Sequence, residues 1–337
     1  MPRFARLERL PSTSARWRSA EFRDELTAWV SSAVGAAASL EPVKIRPWAT
    51  VWRAAGPAGV HYAKQNCPAQ AYEAALLAEL AVLAPHHVVP VTAVDLDRGL
   101  LLTPDQGPVL GHGSGDIDTW CRVVQAGAAL QREVAAYADL LAAVGLTTLE
   151  PLEAVAYVEQ LLQQFDVLAP GDLRAMRHQD RVAVVGLLPE VARWAGQVAA
   201  LGLPTTLVHN DLHGNNVVEV GEELRFFDFG DAMLMEPLAA LQIPLDLLAF
   251  RLDAGPDDPR LWRVADAAIE VWSDLADAAD LRAALPAALQ LGRLGRTETW
   301  VRCTAPMDEA ELEEWGGAAA ASLASLRRRP PVGHLPG

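Results

Sequence analysis

The stretch with the clearest chemical potential is HNDLHGNNVVEVGEELRFFDFGDA, residues 209–232, which contains two histidines, three aspartates and two adjacent asparagines. Such side chains bind metal ions or move protons, so the stretch predicts a catalytic or metal-binding site. One interpretation is a zinc site on His209 and His213, with Asp211 or Asp228 as a third ligand. A Gly-Asn-Asn run directly after His213 disfavours the continuous helix that would align both imidazoles, and the glutamate of an HExxH motif is missing. A zinc hydrolase therefore stays a minor alternative.

The second half of this stretch has the pattern of a β-hairpin. NVVEV and LRFFDF are short β-rich runs on either side of GEE, so the midpoint of the hairpin is expected near Glu222. Asn216 and Asp228 are equally far from that midpoint, and we expect them to meet at the open end of the hairpin. Asp211, in the preceding loop, can reach the same end. Carboxylate and amide oxygens are hard ligands that suit Mg²⁺, so magnesium is the predicted ion.

The motifs of this stretch resemble those of a known enzyme family. H-x-D-x-x-x-x-N followed by D-F-G-D is similar to the catalytic loop and metal-binding segment of protein-kinase-like phosphotransferases. LVHNDLHGNNVV and FFDFGDA resemble more closely the aminoglycoside phosphotransferase and choline kinase family, specifically over residues 207–237 and more weakly over most of 43–258. The family usually writes the loop as H-G-D-x-x-P-G-N. Here Asn210, Gly214 and Asn215 replace its Gly, Pro and Gly. These replacements affect the geometry of the loop and leave the charged positions unchanged.

The resemblance implies an ATP- and Mg²⁺-dependent kinase. Its acceptor would be a hydroxyl of a small molecule, such as an aminoglycoside, an amino sugar or a similar metabolite. By the same resemblance, Asp211 orients the hydroxyl and accepts its proton, while Asn216 and Asp228 hold two Mg²⁺ ions on the β- and γ-phosphates. The alternative function is a nucleotide-binding pseudokinase or regulatory module that transfers no phosphate.

The other polar side chains of the stretch have less defined roles. His209 is interpreted as a structural residue that supports the loop by hydrogen bonds. His213 is equally consistent with a packing residue and with a contact at the rim of the site. Asp231 stays open between stabilising the loop and facing the substrate.

A kinase-like site requires a lobe that holds the nucleotide, and residues 43–105 have the corresponding pattern. Short alternating runs (VKIRPWATVWRAA, GVHYAKQ, HHVVPVTAVD and GLLLTPD) are bounded by turn residues and enclose one helical segment at 69–83. Long helical patterns dominate after residue 117. The sequence predicts an α+β, two-lobed protein-kinase-like fold with a small antiparallel β lobe and a larger helical lobe. The predicted segments are an N-terminal helical extension at 1–42, a nucleotide-binding β lobe at 43–106, a helical catalytic and substrate lobe at 107–327, and a flexible tail at 328–337. Near the start of the helical lobe, the run GHGSGD at 111–116 is interpreted as a flexible connector.

Lys64 is the candidate for holding the nucleotide phosphates. Among 28 basic residues only Lys44 and Lys64 are lysine, and a compact ammonium cannot be replaced by an arginine fork without moving the phosphates. The alternative is a lysine on the surface of an edge strand. On the 69–83 helix, Glu73 falls within the apolar face and therefore needs a charged partner. We predict a Lys64–Glu73 pair, with Glu79, just outside that face, as the reserve.

The remaining nucleotide contacts follow from the resemblance. The chain has no GxGxxG loop, and the resemblance implies that a loop around 48–51, including Thr50, covers the phosphates with backbone N–H groups. LLLTPDQG would be the hinge between the lobes, where the backbone from Thr103 to Asp105 contacts adenine. The alternative for that run is an ordinary turn after a strand.

The charge and the cysteine content of the chain indicate which binding partners and which compartment to expect. A net charge of −15 and a pI near 4.9 argue against a nucleic-acid or anionic-membrane binder and favour a cationic acceptor. Three widely separated cysteines and the lack of an uninterrupted apolar run indicate a reduced, cytoplasmic protein. The oligomeric state and the choice between ATP and GTP stay open.

The family binds its acceptor among the helices after D-F-G-D. In this region the chain has acidic and aromatic residues that are either candidate contacts to the acceptor or ordinary surface and core residues: Glu236, Asp246, Asp253, Asp257, Asp258, Glu298, Trp272 and Trp300.

Overall fold

A computed structural model describes residues 4–35, 39–111 and 116–335. The first lobe is a five-stranded antiparallel sheet with the strand order β1-β2-β3-β5-β4, which carries one helix, α3. Residues of β2 alternate between the two faces, so that Trp52 and Ala54 are buried on one of them. The elements of this lobe and of the segment before it are α1 (Ser14–Trp17), α2 (Ala20–Val34), β1 (Ser39–Ile45), β2 (Ala49–Gly56), β3 (Gly59–Asn66), α3 (Glu73–Leu83), β4 (Ala93–Asp95) and β5 (Leu100–Pro104).

The N-terminal helix α2 is part of the β lobe and not a separate extension. Its first turn is capped by Ser19, whose hydroxyl accepts the N–H of Phe22 at 3.1 Å. Phe22, Leu26 and Val30 recur at helical spacing and pack against the sheet in one buried cluster with Trp52. The predicted boundary at 42/43 also falls inside β1, so it does not separate two units.

The second lobe is mainly helical and is built around α11, whose residues are buried on almost every side. Two short antiparallel pairs, β6 with β9 and β7 with β8, interrupt the helices and enclose the stretch singled out by the sequence. The helices are α4 (Ile117–Val134), α5 (Ala138–Val144), α6 (Ala154–Asp166), α7 (His178–Gly186), α8 (Leu188–Ala199), α9 (Gln242–Leu252), α10 (Pro259–Ile269), α11 (Ala278–Thr304), α12 (Glu309–Trp315) and α13 (Ala318–Ala324), and the strands are β6 (Thr206–Val208), β7 (Val217–Val220), β8 (Glu223–Phe226) and β9 (Met233–Met235). The described ranges contain no helix long and apolar enough to span a bilayer.

The predicted hairpin is β7–β8, and its register differs from the prediction by one residue. Val217 pairs with Phe226, and the turn consists of Gly221, with a φ of 65°, and Glu222. Asn216 is therefore opposite Phe227, whose N–H donates to its carbonyl at 3.2 Å. The residue after Phe227 is Asp228, so the two predicted ligands still meet at the open end of the hairpin.

The lobes are connected at three places. The chain crosses between them after β5, and residues 112–115 of the predicted connector lie outside the described residues. The Trp48 ring, in the β1–β2 turn, meets the rings of Trp300 and Trp315 edge-on at centroid distances of 5.7 and 5.4 Å. The segment before α1 runs along the helical lobe, where the N–H of Leu10 donates to the carbonyl of Ala305 at 2.8 Å.

The prediction of a flexible tail at 328–337 is wrong for residues 328–335. Val332 is fully buried, and the N–H of Gly333 donates to the carbonyl of Pro256 at 2.8 Å. The carbonyl of Arg328 accepts the side-chain amide of Gln290 on α11, also at 2.8 Å. The Pro-rich composition suggested fraying, but these long-range contacts fix the segment against the helical lobe.

Candidate active site

Lys64 and Glu73 form a buried ion pair between β3 and α3. Nζ of Lys64 lies 2.6 Å from Oε2 of Glu73, whose side chain is 3% exposed. The other oxygen, Oε1, accepts the N–H of Phe229 at 2.9 Å, and Asn66 donates to Oε2. Glu73 is the first residue of α3, where the helix dipole favours a carboxylate. The structure thus brings the predicted pair together and leaves the reserve candidate, Glu79, outside it.

The charge of Lys64 is secured by two carboxylates. Its Nζ also lies 2.5 Å from Oδ1 of Asp228. Burial alone would lower the pKa of Lys64, but the charges of Asp228 and Glu73 outweigh burial and raise the pKa above its usual range. Lys64 is therefore an ammonium at neutral pH.

Histidine and asparagine side chains shape the loop between β6 and β7. Nε2 of His209 lies 2.9 Å from the carbonyl oxygen of Phe227, and its ring packs on Phe229 with centroids 4.7 Å apart. Burial lowers the pKa of His209, so the imidazole is neutral and supports the loop. Asn210 has a φ of 59°, a left-handed conformation that glycine and asparagine tolerate best, and its amide donates to the carbonyl of Asp231 at 3.1 Å. This conformation explains why asparagine can replace the glycine of the usual family motif.

Asn216 and Asp228 provide a donor set that fits a magnesium ion. The side-chain N–H of Asn216 donates to the backbone carbonyl of Asp211 at 2.9 Å, which makes the amide oxygen the candidate ligand atom. Asp228 has a φ of 64°, an uncommon conformation for an aspartate and one that recurs at functional sites. A carboxylate and an amide oxygen are hard ligands of the kind Mg²⁺ prefers. Within the described ranges no three His, Cys, Asp or Glu side chains are grouped so as to hold a metal ion, so the zinc interpretation finds no ligand set there.

Asp211 lies between two basic side chains. Its Oδ2 is 3.4 Å from Nε2 of His213, and its Oδ1 is 3.3 Å from Arg296 on α11. Burial alone would raise the pKa of Asp211, but the hydrogen bond from His213 and the charge of Arg296 hold it well below its usual range. Asp211 is thus ionised at neutral pH and can accept a hydrogen bond from a hydroxyl. His213 contacts Asp211 directly, which neither interpretation of the sequence specified.

Lys64, Asp211, Asn216 and Asp228 line a single cavity of about 520 Å³ between the lobes. One part of its wall carries these charged and polar groups, while another part is apolar, as a site for a purine ring with attached phosphates would require. Lys44 lines the same cavity, so both lysines of the chain face it. The apolar wall includes Val51, Leu77, Val89, Leu101, Val218 and Phe227.

The other predicted nucleotide contacts are only partly brought to this cavity. Thr103 and Asp105 both line it. The N–H of Asp105, however, donates to the carbonyl of Val60 at 2.9 Å, so this N–H group is engaged within the β lobe. Thr50 lies in β2 and is fully buried, with its hydroxyl 2.8 Å from Nε1 of Trp52. The side chain of Thr50 therefore does not line the cavity, because side chains alternate along a strand and the next residue, Val51, is the one that lines it. The expected contact of the phosphates with backbone N–H groups around 48–51 stays a prediction.

Arg296 is the charged residue of the site that the sequence analysis missed. It contacts Asp211 and also donates to Asp231, which in turn accepts the side-chain amide of Gln70 at 2.8 Å. Burial raises the pKa of Asp231 to about 6, against the opposing charge of Arg296. The pairing identifies Asp231 as a residue that holds Arg296 beside Asp211. No sequence signal distinguishes Arg296, because the chain contains 26 arginines and this one follows the motif by more than 60 residues.

Most of the acidic and aromatic candidates for the acceptor side have structural roles. Glu298 is fully buried and accepts the hydroxyl of Tyr157 at 3.1 Å, and Trp272 lies in the core. Glu236 caps the helical turn Pro237–Leu241. Asp253, Asp257 and Asp258 lie around the α9–α10 connection and line none of the cavities beside Asp211 in the described part of the chain. Only Asp246 and Trp300 line those cavities.

Comparison with known proteins identifies a family for this chain. A family model described as the phosphotransferase enzyme family matches residues 49–261, which include the four side chains on the cavity. No curated protein sequence matches the chain.

Solved structures share the two-lobed kinase-like fold at low sequence identity. A Plasmodium vivax ethanolamine kinase is 12% identical, with a TM-score of 0.62 over 88% of this chain and 85% of that one. A choline/ethanolamine kinase family protein from Mesorhizobium loti is 16% identical, with a TM-score of 0.56 over 91% and 95%. Amicoumacin kinase hAmiN, in complex with AMP-PNP, Ca²⁺ and Ami, is 13% identical, with a TM-score of 0.56 over 92% and 96%.

Proposed function

Because the chain belongs to the phosphotransferase enzyme family, we propose that it is a kinase that uses ATP and Mg²⁺ to phosphorylate a hydroxyl of a small molecule. The observation that carries this proposal is the convergence of Lys64, Asp211, Asn216 and Asp228 on one cavity between the lobes. The AMP-PNP bound by the amicoumacin kinase of similar fold supports a nucleotide in that cavity.

Lys64 would hold the nucleotide phosphates. Its ammonium is fixed by Glu73 on one side and stays charged, so it can donate to phosphate oxygens without a change of protonation state. Asn216 and Asp228 would hold Mg²⁺, which neutralises charge on the phosphates and so favours transfer. Lys44 lines the same cavity and would add a second positive charge near the phosphates.

Asp211 would position the acceptor hydroxyl. Its pKa is held low by His213 and Arg296, so it stays ionised, can accept a hydrogen bond from the hydroxyl and is a weak base. Such a carboxylate fixes the direction of the hydroxyl oxygen and takes up its proton as the new O–P bond forms. Phosphoryl transfer through a loose transition state depends mainly on positioning and charge stabilisation, so a weak base suffices.

The proposal is tested by separating nucleotide binding from turnover. We expect Asp211→Asn to lower kcat by about 10³-fold while MgATP binding is retained, because general-base and positioning effects are of this size. Asp228→Ala should lose both MgATP binding and turnover. The matched control is Asp97→Asn, a change of an exposed aspartate in a turn of the β lobe.

The assay is coupled ADP release over amino sugars, aminoglycosides, macrolides, choline and small hydroxylated metabolites, with the Asp228 variant as the blank. Retained turnover in the Asp211 variant would contradict the assignment. Binding of MgATP without ADP release for any acceptor would favour the pseudokinase alternative.

A further inference from the structure

A groove rich in arginine lies beside Asp211 on the side of the helical lobe. Its cavity is about 470 Å³, and its lining includes Arg293, Arg296, Arg328 and Arg329. It shares Asp211 and His213 with the nucleotide cavity. A molecule bound in this arginine groove can therefore present a hydroxyl to Asp211, with the nucleotide on the other side.

Two of the four arginines are neutralised within the protein. Arg293, on α11, is 4% exposed, and one of its amino groups lies 3.0 Å from Oδ2 of Asp246. Arg296 is shared by Asp211 and Asp231. Three carboxylates thus contact two guanidinium groups, so the inner half of the groove has no net positive charge.

The other two arginines are exposed. The structure gives the side chains of Arg328 and Arg329 no ion pair with any residue of the described ranges, whereas the preceding Arg327 pairs with Asp180 at 2.8 Å. The outer half of the groove is therefore positively charged, in a protein whose net charge is −15.

The backbone fixes these two arginines at the wall of the groove. The N–H of Arg328 donates to the carbonyl of Ser325, and its carbonyl accepts the amide of Gln290, both at 2.8 Å. Downstream, Val332 is buried and anchors the chain again. A backbone held on both sides of these two residues loses little further entropy when their side chains bind a ligand, so mainly the side-chain entropy of the arginines opposes binding.

We propose that the phosphate acceptor is an anion: a small hydroxylated molecule whose carboxylate or phosphate group binds Arg328 and Arg329 while its hydroxyl contacts Asp211. This inference rests on the proposed kinase function. Guanidinium groups bind carboxylates and phosphates through paired N–H donors, and a cationic acceptor would face unpaired positive charge at the same place. The cationic acceptor expected from net charge is thus disfavoured, because net charge is a property of the whole surface and recognition depends on the local groove.

The test uses four pyranoses that share one ring and differ in charge: D-glucose, D-glucosamine, D-glucuronate and D-glucose 6-phosphate. Their binding is measured by titration calorimetry on the full chain saturated with MgADP, so that the nucleotide cavity does not compete for the anions. We expect the carboxylate or the phosphate member to bind and the amine to bind more weakly. Comparison of glucuronate with glucose 6-phosphate distinguishes the two anionic groups.

The variants compare neighbouring arginines. The double change Arg328→Ala with Arg329→Ala should raise the Kd of the anionic sugar about tenfold or more, the effect of losing a charge-assisted hydrogen bond. Arg327→Ala, which removes an arginine outside the groove, should leave that Kd unchanged. Tighter binding of glucosamine, equal binding of the anion by the double variant, or no anion binding by the wild type would each overturn the inference.

Failure of this inference and failure of the kinase proposal give different results. Turnover with an amine acceptor refutes the anionic acceptor and leaves the kinase in place. Arginine-dependent binding of an anionic sugar, without ADP release from any acceptor, refutes phosphoryl transfer and leaves the anion site in place.

Discussion

Glu73 is the residue whose replacement tests the site most directly. Three donors converge on its carboxylate: the ammonium of Lys64, the backbone N–H of Phe229 and the amide of Asn66. Two of these groups keep another partner when the carboxylate is removed, because Lys64 still meets Asp228 and Asn66 still donates to the carbonyl of Gln70 at 3.2 Å. The buried N–H of Phe229 is left without an acceptor.

The size of the effect follows from these contacts. Loss of a charge-assisted hydrogen bond costs about 1.5–3 kcal/mol, and a buried unsatisfied N–H costs about 1–3 kcal/mol. Glu73→Ala should therefore lower the free energy of unfolding by about 3–5 kcal/mol, as is usual when one partner of a buried ion pair is removed. Glu73→Gln keeps an acceptor for Phe229 and loses only the charge, so about 1–3 kcal/mol is expected. In both variants Lys64 is held by Asp228 alone, and we expect the KM for ATP to rise about tenfold.

The assay combines urea unfolding, followed by tryptophan fluorescence, with coupled ADP release. Glu79→Gln is the matched control, since Glu79 lies on the same helix at intermediate exposure and outside the pair, and its effect should stay within about 0.5 kcal/mol. A loss below about 1 kcal/mol for Glu73→Ala, or equal losses at both positions, would refute the role given to Glu73.

Two further predictions concern residues around the site. Burial raises the pKa of Glu236 to about 8, so from pH 5 to 8 the native state keeps a proton that the unfolded state loses, and stability falls as the pH rises. Glu236→Gln should remove up to about 4 kcal/mol of that pH dependence, measured from urea unfolding midpoints at pH 5 and pH 8. If the free energy of unfolding changed equally with pH in the wild type and the variant, the Glu236 carboxyl would not be neutral in the native state. A Cβ at Gly295 would lie 2.7 Å from Oδ1 of Asn210 and 2.8 Å from Sδ of Met235, so Gly295→Ala should cost about 1–3 kcal/mol and lower kcat by displacing the catalytic loop. An unchanged kcat in that variant would mean that the added Cβ does not displace the catalytic loop.

The parts of the site that could be predicted depend on short stretches of sequence. The Lys64–Glu73 pair follows from one strand lysine and one acidic residue on the apolar face of the next helix. Asn216 and Asp228 meet because a tight hairpin joins them, and an error of one residue in the register did not separate them. Comparisons of family and fold then confirmed the predicted architecture and the family itself.

The parts that could not be predicted depend on contacts between distant segments. The direction of Thr50 is set by the register of β2 within the sheet, where a bulge shifts the pairing of β1 between Pro42 and Lys44. Arg296 reaches Asp211 only because the long helix α11 packs behind the catalytic loop. The segment after α13 was expected to fray from its composition, yet its backbone bonds to Gln290 and Pro256 fix it.

The tryptophan contact between the lobes has a mechanical consequence. A lobe attached through a single hinge can swing in any direction, and each further attachment away from the hinge removes directions of movement. The ring contact of Trp48 with Trp300 and Trp315 is one such attachment, and the bond from Leu10 to Ala305 is another. A movement that opens the cleft must therefore displace these contacts, which couples the distance between Lys64 and Asp211 to the packing of three tryptophan rings.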